Sequence, residues 1–338
     1  MGKAVTINDV AREAGVSKTT AVFVLNDRPG FSATDLTRAR VREAAQKLGY
    51  RRSGLARALS TGRIYTVGVV LRMDGGRLHY SVYAKDVLAA MARACRAVGL
   101  RLTLIPFPAE GTLSVDDVVD HRVDGLILVS HYNDEFARQV YNARFPTVSF
   151  GSGYAERLVD IDQRGGVREA TEYLLSLGHQ RIVHIQGESF TSRAAMERRL
   201  GYQEALAAAG LEAQCLTLAE ALDVVSKPDH PTAFIAYNDN AAWQLTVTAR
   251  ERGLYVPDDL SIIGFDNNVL AETAVPPLTT VENPLDAQAE GALKVLQCLW
   301  QGKEPPQMAP IPTRLIHRQS TAAPPGLSLK FPQKEPKQ

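Results

Sequence analysis

No stretch of the chain approaches the roughly 18 consecutive apolar residues needed to cross a bilayer. The first residues, Met1-Gly2-Lys3-Ala4-Val5-Thr6-Ile7-Asn8-Asp9, hold no apolar signal core, so secretion is not expected. Cysteine is scarce: Cys95, Cys215 and Cys298 are an odd, widely spaced set without metal-ligand spacing. They read as reduced, mostly buried thiols of a cytoplasmic protein. There is no Gly-Lys-Ser/Thr phosphate loop, and Gly151-Ser152-Gly153 lacks the third glycine of a dinucleotide loop. The seven histidines form no metal pattern. An enzyme is therefore not expected, and neither a catalytic group, a metal nor a cofactor is assigned.

What remains is ordinary globular composition, 45% apolar and 22% charged, in 338 residues, enough for two or three compact units. The net charge of +1 conceals an asymmetry. Residues 1–63 carry twelve Lys/Arg against five Asp/Glu, a balance of +7, and the rest carries 26 against 32, a balance of −6. A basic arm on an acidic body is the footprint of a nucleic-acid reader joined to a ligand module. A merely solvated basic face has the same composition.

The first sixty residues sharpen this. Thr6 and Asp9 form a capping-box pattern before a short helix over about Ile7–Ala14, and Gly15 supplies its left-handed stop. Ser17 then caps a helix over about Lys18–Asn26, which makes a helix-turn-helix pattern. At about 100° per residue, Thr20, Ala21, Val24 and Leu25 fall on the side facing Val10 and Ala14. Lys18, Thr19, Val22 and Phe23 fall opposite. An exposed Phe on that outer face is explained by contact with base edges. Ser32 and Asp35 offer a second capping box for a third helix, on which Arg38, Arg40 and Arg42 can face phosphates. A helical bundle without a DNA role is the competing reading. Residues 51–63 hold a short helix that Ser53 could cap, too short to persist alone. It is either a flexible linker or a segment that folds on DNA and inserts Leu59 into the minor groove.

From Arg63 onward short apolar runs alternate with amphipathic stretches. Strands are expected at Thr66–Leu71, Arg101–Ile105, Gly125–Val129, Pro146–Phe150, Arg181–Ile185, Ala213–Leu218, Ala233–Tyr237 and Leu260–Gly264, with helices such as Tyr83–Val98, Arg193–Ala209 and Asn240–Arg252 between them. The pattern predicts an α/β body of parallel βα units in two lobes. Ligands of such sheets bind beyond the strand carboxyl ends, which nominates Arg72, Gly151, Asn238, Asp239 and Asp266. Asp239 reads better as a helix cap, whereas Asn238 and Asp266 could be caps or ligand contacts.

These residues together resemble the lactose-repressor/galactose-repressor family of bacterial transcription factors. The resemblance runs from about Val5 to Ala322. It rests on Thr6-Ile7-Asn8-Asp9-Val10-Ala11-Arg12-Glu13-Ala14-Gly15-Val16-Ser17, Val24-Leu25-Asn26, Leu48-Gly49-Tyr50, Arg122-Val123-Asp124-Gly125 and Leu177-Gly178-His179. Arg198-Arg199-Leu200-Gly201-Tyr202, Asn238-Asp239, Val256-Pro257-Asp258-Asp259 through Gly264-Phe265-Asp266, and Pro276-Pro277-Leu278-Thr279-Thr280-Val281 continue it.

The resemblance implies a small all-α helix-turn-helix headpiece over 1–50, a hinge over 51–62 and a two-lobed periplasmic-binding-protein-like core over 63–322. The N-lobe would hold about 63–160 and 283–308, the C-lobe about 161–282 and 309–322, and 323–338 would be a disordered tail. It implies a homodimer on double-stranded operator DNA. The DNA contacts would come from Thr6, Ser17, Lys18, Thr19, Val22, Phe23, Asn26, Ser32, Arg38, Tyr50, Ala56 and Leu59. A small-molecule effector, a sugar or sugar derivative, would meet Arg72, Tyr83, Gly151, Asp160, Arg198, Asn238 and Asp266.

Three departures bear on specificity. Family members usually carry Ser-Arg where Val22-Phe23 stands. Phe can pack only on an apolar group such as the thymine methyl, so a thymine-containing half-site is expected. The segment between Asn26 and Thr37 is two residues longer than usual. Arg72 adds a second cation to Arg198, which would favour an anionic effector. A solute-binding protein of a transport system shares such a body, but a basic headpiece and no signal argue against it. A purely structural DNA-binding role would leave the polar cleft unexplained.

Overall fold

Thr6, Ser17 and Thr34 each begin a helix, because each leaves the extended region just where the next residues turn helical. In α1 (Ile7–Ala14) the Asp9 carboxylate accepts from the backbone N–H of Thr6 at 2.9 Å and from its hydroxyl at 2.7 Å, and Gly15 ends the helix at φ 61°. Ser17 Oγ accepts from Thr20 N at 3.1 Å to open α2 (Lys18–Leu25). The third helix, α3 (Asp35–Lys47), is capped by Thr34, which accepts from Thr37 N at 3.3 Å. The expected cap Ser32 is corrected here: it lies two residues too early for the first free helical N–H groups. Val10, Ala14, Ala21, Val24, Val41 and Ala44 form the core of this unit.

The computed structural model describes residues 5–27, 30–51, 58, 61–73, 82–108, 113–120, 122–129, 134–151, 157–187 and 192–326. The chain divides into two units, Met1–Ile64 and Tyr65–Gln338. In the second, a five-stranded parallel sheet is made of β1 (Thr66–Met73), β2 (Arg101–Pro108), β3 (Gly125–Val129), β4 (Thr147–Phe150) and β5 (Leu158–Val159), in the order β2-β1-β3-β4-β5. A second sheet holds β6 (Ile182–Gln186), β7 (Gln214–Thr217), β8 (Ala233–Ala236), β9 (Ser261–Asp266), β10 (Thr279–Glu282) and β11 (Arg314–Ile316), in the order β11-β10-β9-β8-β6-β7. Read from β7, its first five strands repeat the spatial order of the other sheet, and β11 is added antiparallel to β10. The two lobes are therefore of like build, as the repeated βα pattern predicts.

Both faces of each sheet are covered. Helix α4 (Val82–Ala97) packs on the first sheet. Short α5 (Val115–Val118) and α6 (Asp134–Asn142) lie on its other side. On the second sheet, α7 (Gln163–Ser176) and α8 (Arg193–Ala208) cover one face. The other is covered by α9 (Leu218–Val224), α10 (Asp239–Glu251) and α11 (Val269–Thr273). The chain then leaves β10 for α12 (Leu285–Trp300), whose Ala289, Ala292, Leu293 and Leu296 belong to the first lobe's core, and returns to supply β11. The first and third crossings are tied together: Ile311 N donates to Asp160 O at 2.9 Å and Asp162 N to Ile311 O at 2.8 Å.

Differences from the expected elements have physical reasons. β1 and β2 run on past their apolar cores because Arg72 pairs with Phe107 and Met73 with Pro108. β5, β10 and β11 are two to four residues long, too short to show a period. Residues 323–326 extend the described chain with Pro324 buried, and the rest of the expected tail, 327–338, lies outside the described residues.

Candidate functional site

In the first unit, Lys18 and Thr19 are exposed on α2, whose inner residues Ala21, Val24 and Leu25 are buried. Ser17 is spent on the cap, and Asn26, exposed, closes the helix through its backbone N–H to Val22 O at 3.0 Å. Val22 and Phe23 are half-buried rather than free. The Phe23 ring meets Phe31 edge to face, with centroids 5.0 Å apart and planes at 72°. Outward helical phase therefore did not mean full exposure, because the partner comes from a loop that helical periodicity does not cover.

The remaining expected DNA contacts are placed unevenly. Thr6 and Ser32 are exposed, Thr6 with its hydroxyl given to Asp9. Tyr50 is half-buried against the small core. Arg38 reaches back to the carbonyl of Phe31 at 2.9 Å, and Arg42 pairs with Asp27 at 2.8 Å. Two of the three α3 arginines thus hold the α2–α3 loop. Ala56 and Leu59 lie outside the described residues, although Gly62 N donates to Ala58 O at 2.8 Å, one helical turn.

In the second unit the site is built around Arg198. Its guanidinium carbon lies 3.5 Å over the centre of the Phe265 ring. Its Nε donates to Gln163 Oε1 at 2.8 Å, and Nη1 donates to the Tyr237 carbonyl. Burial lowers its pKa, and the charges of Asp266, Tyr83, Asp160 and Asp239 pull it back up. A guanidinium is cationic in any case, and these groups offset part of its desolvation.

Asp160 is 7% exposed and follows the short strand β5. It accepts from Ile161 N at 2.8 Å and Gln163 Nε2 at 3.0 Å, with Arg193 at 4.0 Å. Burial pushes its carboxyl up, against the pull of these donors. Asp266, the last residue of β9, has φ 107° and Asn267 has φ 56°. Two successive non-glycine residues in the left-handed region are strained backbone of the kind found at ligand sites. Burial pushes Asp266 up to about 6; Arg198 draws it down and Asp86 pushes it further up.

The cap expected at Asp239 falls to Asn238, for which a cap is one of the two expected roles. Asn238 is the cap of α10, its side chain accepting from Ala241 N at 2.9 Å. Asp239 is fully buried and accepts from the Thr280 hydroxyl at 2.6 Å and from Asn268 N at 2.8 Å. A Cβ on Gly264 would come within 2.1 Å of its Oδ1, so the strand makes room for this carboxylate. Burial, and then the neighbouring Asp266, raise its pKa to about 7.

Tyr83, half-buried on α4, contributes from the other lobe. Gly151 is buried at φ 76° and donates its N–H to Val159 O at 2.9 Å. The side chain of Arg72 lies outside the described residues, so the two-arginine argument for an anionic effector rests on Arg198 alone, whose guanidinium is already engaged. Sequence reasoning missed Gln163, Phe265 and Asn283. Asn283 follows a strand end, as the ligand rule requires, but its four-residue strand was not recognised. Its Nδ2 donates to Asp266 at 3.3 Å, and its Oδ1 accepts from Gln288 at 2.5 Å. A cavity of about 450 Å³ opens beside Asp266 and Asn283, walled by Asp86 and Arg93 of α4 and by Asp286 at the start of α12.

Among the described residues no helix is long and apolar enough to cross a membrane, and no group of His, Cys, Asp and Glu is arranged to hold a metal.

Comparison with known proteins gives a consistent picture. The family profile described as bacterial regulatory proteins, lacI family, matches residues 6–53. The periplasmic binding protein-like domain matches residues 171–321. The HTH-type transcriptional repressor PurR of Vibrio atlanticus is 31% identical over 311 residues, covering 86% of this chain and 90% of that protein. A lac repressor dimer bound to operator and an anti-inducer superposes with a TM-score of 0.78 at 24% identity, covering 95% of this chain and all of that one. The transcriptional regulator CelR in complex with cellobiose superposes with a TM-score of 0.66 at 27% identity, covering 94% of this chain and 99% of that one.

Proposed function

The chain belongs to the lacI family of bacterial regulatory proteins, and from that premise we propose that it represses transcription at a specific operator under the control of a sugar or sugar derivative. It is a DNA-binding transcriptional regulator and not an enzyme. The observation that carries the effector reading is Arg198, stacked on Phe265 beside Asp160 and Asp266 at the strand ends. A guanidinium and two carboxylates with lone pairs to spare hold hydroxyl groups through charge-assisted hydrogen bonds. Tyr83 from the facing lobe provides an aromatic wall. Gln163 and Asn283 join the effector contacts, and Asn238 acts mainly through its cap.

On the DNA side, α2 enters the major groove, with Lys18, Thr19, Val22 and Phe23 toward the bases and Ser17 and Asn26 at its ends. Thr6, Ser32, Arg38 and Tyr50 flank it. Two copies bind two half-sites, and the hinge over 51–62, with Ala56 and Leu59, meets the minor groove between them. The dimer forms in part through apolar residues left exposed on the second lobe: Trp243 and Val247, four apart on one face of α10, and Val275, 73% exposed. The protein works in the cytoplasm.

Effector and operator then change each other's affinity by the same factor, typically worth about 1–3 kcal/mol. The test is to select bound duplexes from a random pool and titrate the winner with the full chain, with and without each member of a sugar library. At least one sugar shifts the operator affinity about fivefold or more. A sequence-specific complex that no sugar or sugar derivative alters would refute the effector reading. A protein with no preference for any duplex would refute the operator reading.

A further inference from the structure

We infer that Phe31, on the loop between α2 and α3, is a positioning residue for base reading: it holds the Phe23 ring in the single orientation that detects a pyrimidine 5-methyl group in the major groove. The inference rests on the proposed docking of α2 and goes beyond it by assigning a specificity role to a residue outside the helix-turn-helix.

A phenylalanine on the outer side of a short helix has several staggered rotamers open to it. It offers no donor or acceptor, so whatever discrimination it makes comes from shape. In the major groove the apolar feature that separates one pyrimidine from another is the 5-methyl group of thymine. A contact that small is felt only if the ring is already in place. The edge-to-face packing on Phe31, at 5.0 Å and 72°, is a favoured geometry for two rings.

Phe31 is in turn fixed at both its ends. Its ring packs against the core of the first unit. Its carbonyl accepts from Arg38 Nη2 at 2.9 Å, and the start of its loop is held by the Arg42–Asp27 pair at 2.8 Å. Asp27 itself sits at φ 46°, where the chain turns out of α2. Two arginines that can also serve phosphates are thereby tied to the loop that carries Phe31. That use is accounted for if the position of Phe31 matters.

The experiment uses the full chain and an operator selected from a random pool. Each thymine in the α2 footprint is replaced singly by deoxyuridine, and each cytosine by 5-methylcytosine. The wild type loses about fourfold in affinity at one thymine, the worth of one buried methyl group. Phe23→Ala abolishes that loss and so identifies the contact. Phe31→Leu, which keeps the core apolar, and Phe31→Ala both bring the thymine/deoxyuridine ratio below about twofold. In the double variant with Phe23→Ala the second change adds nothing to the ratio. Melting of each variant is followed alongside. The ratio at one methyl group does not depend on the folded fraction, so a purely structural Phe31 would lower total affinity and leave it unchanged. Overturning results are a Phe31→Leu protein that keeps the full ratio, or a wild-type specific complex that senses no methyl group at the Phe23 contact. Absence of any sequence-specific complex would instead strike at the docking of α2.

Discussion

At the scale of single residues, the buried carboxylates at the strand ends make the body of the protein sensitive to pH. Asp239 is raised from 3.8 to about 7 chiefly by burial and then by Asp266. A folded-state value above the unfolded one means that the folded state binds more protons between about pH 4 and 7. Stability therefore falls as pH rises through that window and levels off above it. Asp239→Asn keeps the geometry, since an amide can accept from Asn268 N and donate to Thr280 Oγ1. It flattens the decline in melting temperature between pH 5 and 7, and an equally steep decline in calorimetry would refute the assignment.

Arg198→Lys keeps the charge but loses the planar fork and the face laid over Phe265. It weakens the effector about tenfold or more while leaving effector-free operator affinity within about twofold, as titration of each partner will show. The expectation that Asp239 caps α10 fails for a physical reason: Asn238 reaches the free N–H of Ala241 first, which leaves Asp239 to turn inward. Sequence reasoning saw two polar residues at a helix start and could not tell which of them would be buried.

At the scale of elements, the helices of the first sixty residues were legible because their caps and apolar phases agree with one another. The misread cap of α3 is instructive. Ser32 and Asp35 have the spacing of a capping box, but Thr34 directly precedes the first helical residue and its hydroxyl meets Thr37 N. Thr34→Ala accordingly costs about 1 kcal/mol of headpiece stability, whereas Ser32→Ala costs only a few tenths at most. Denaturant unfolding monitored on the headpiece separates the two. In the second lobe, α7 and α8 approach so closely at Gly201 that a Cβ there would lie 2.1 Å from the carbonyl oxygen of Arg164. Gly201→Ala must push the helices apart and destabilises the core by about 1–3 kcal/mol, read as a lowered denaturation midpoint. Gly201 stood in plain view next to Tyr202, but the reason for it lies on another helix.

At the scale of the whole molecule, the charge asymmetry, the helix-turn-helix spacing and the repeated βα pattern pointed to the architecture and the class of function, and the family resemblance decided between the readings they left open. The fine structure of the ligand site was not. Gln163, Phe265 and Asn283 gather around Arg198 and Asp266 from segments with no common period. They come from the start of α7, the end of β9 and the residue after β10, and their meeting depends on how these elements pack within the second lobe, which local sequence does not announce. The exposed apolar residues of the second lobe give a prediction at this scale. Trp243→Glu together with Val275→Asp yields a monomer by sedimentation, and its operator complex is weaker by about tenfold or more because two linked half-sites become one. A dimer unchanged by both substitutions would move the interface elsewhere.

The route of the chain through α12 and β11 sets a timetable for synthesis. The first lobe has all five of its strands early, yet the helix that seals one of its faces is made only after the whole parallel part of the second lobe. The second lobe then waits for the first to be sealed before receiving its last strand. Neither half can finish on the ribosome ahead of the other, so a nascent chain stalled between Glu282 and Arg314 would carry two unfinished halves. Such a product would be a substrate for chaperones and proteases, and a regulator able to respond to its ligand is not complete until Arg314–Ile316 have been made.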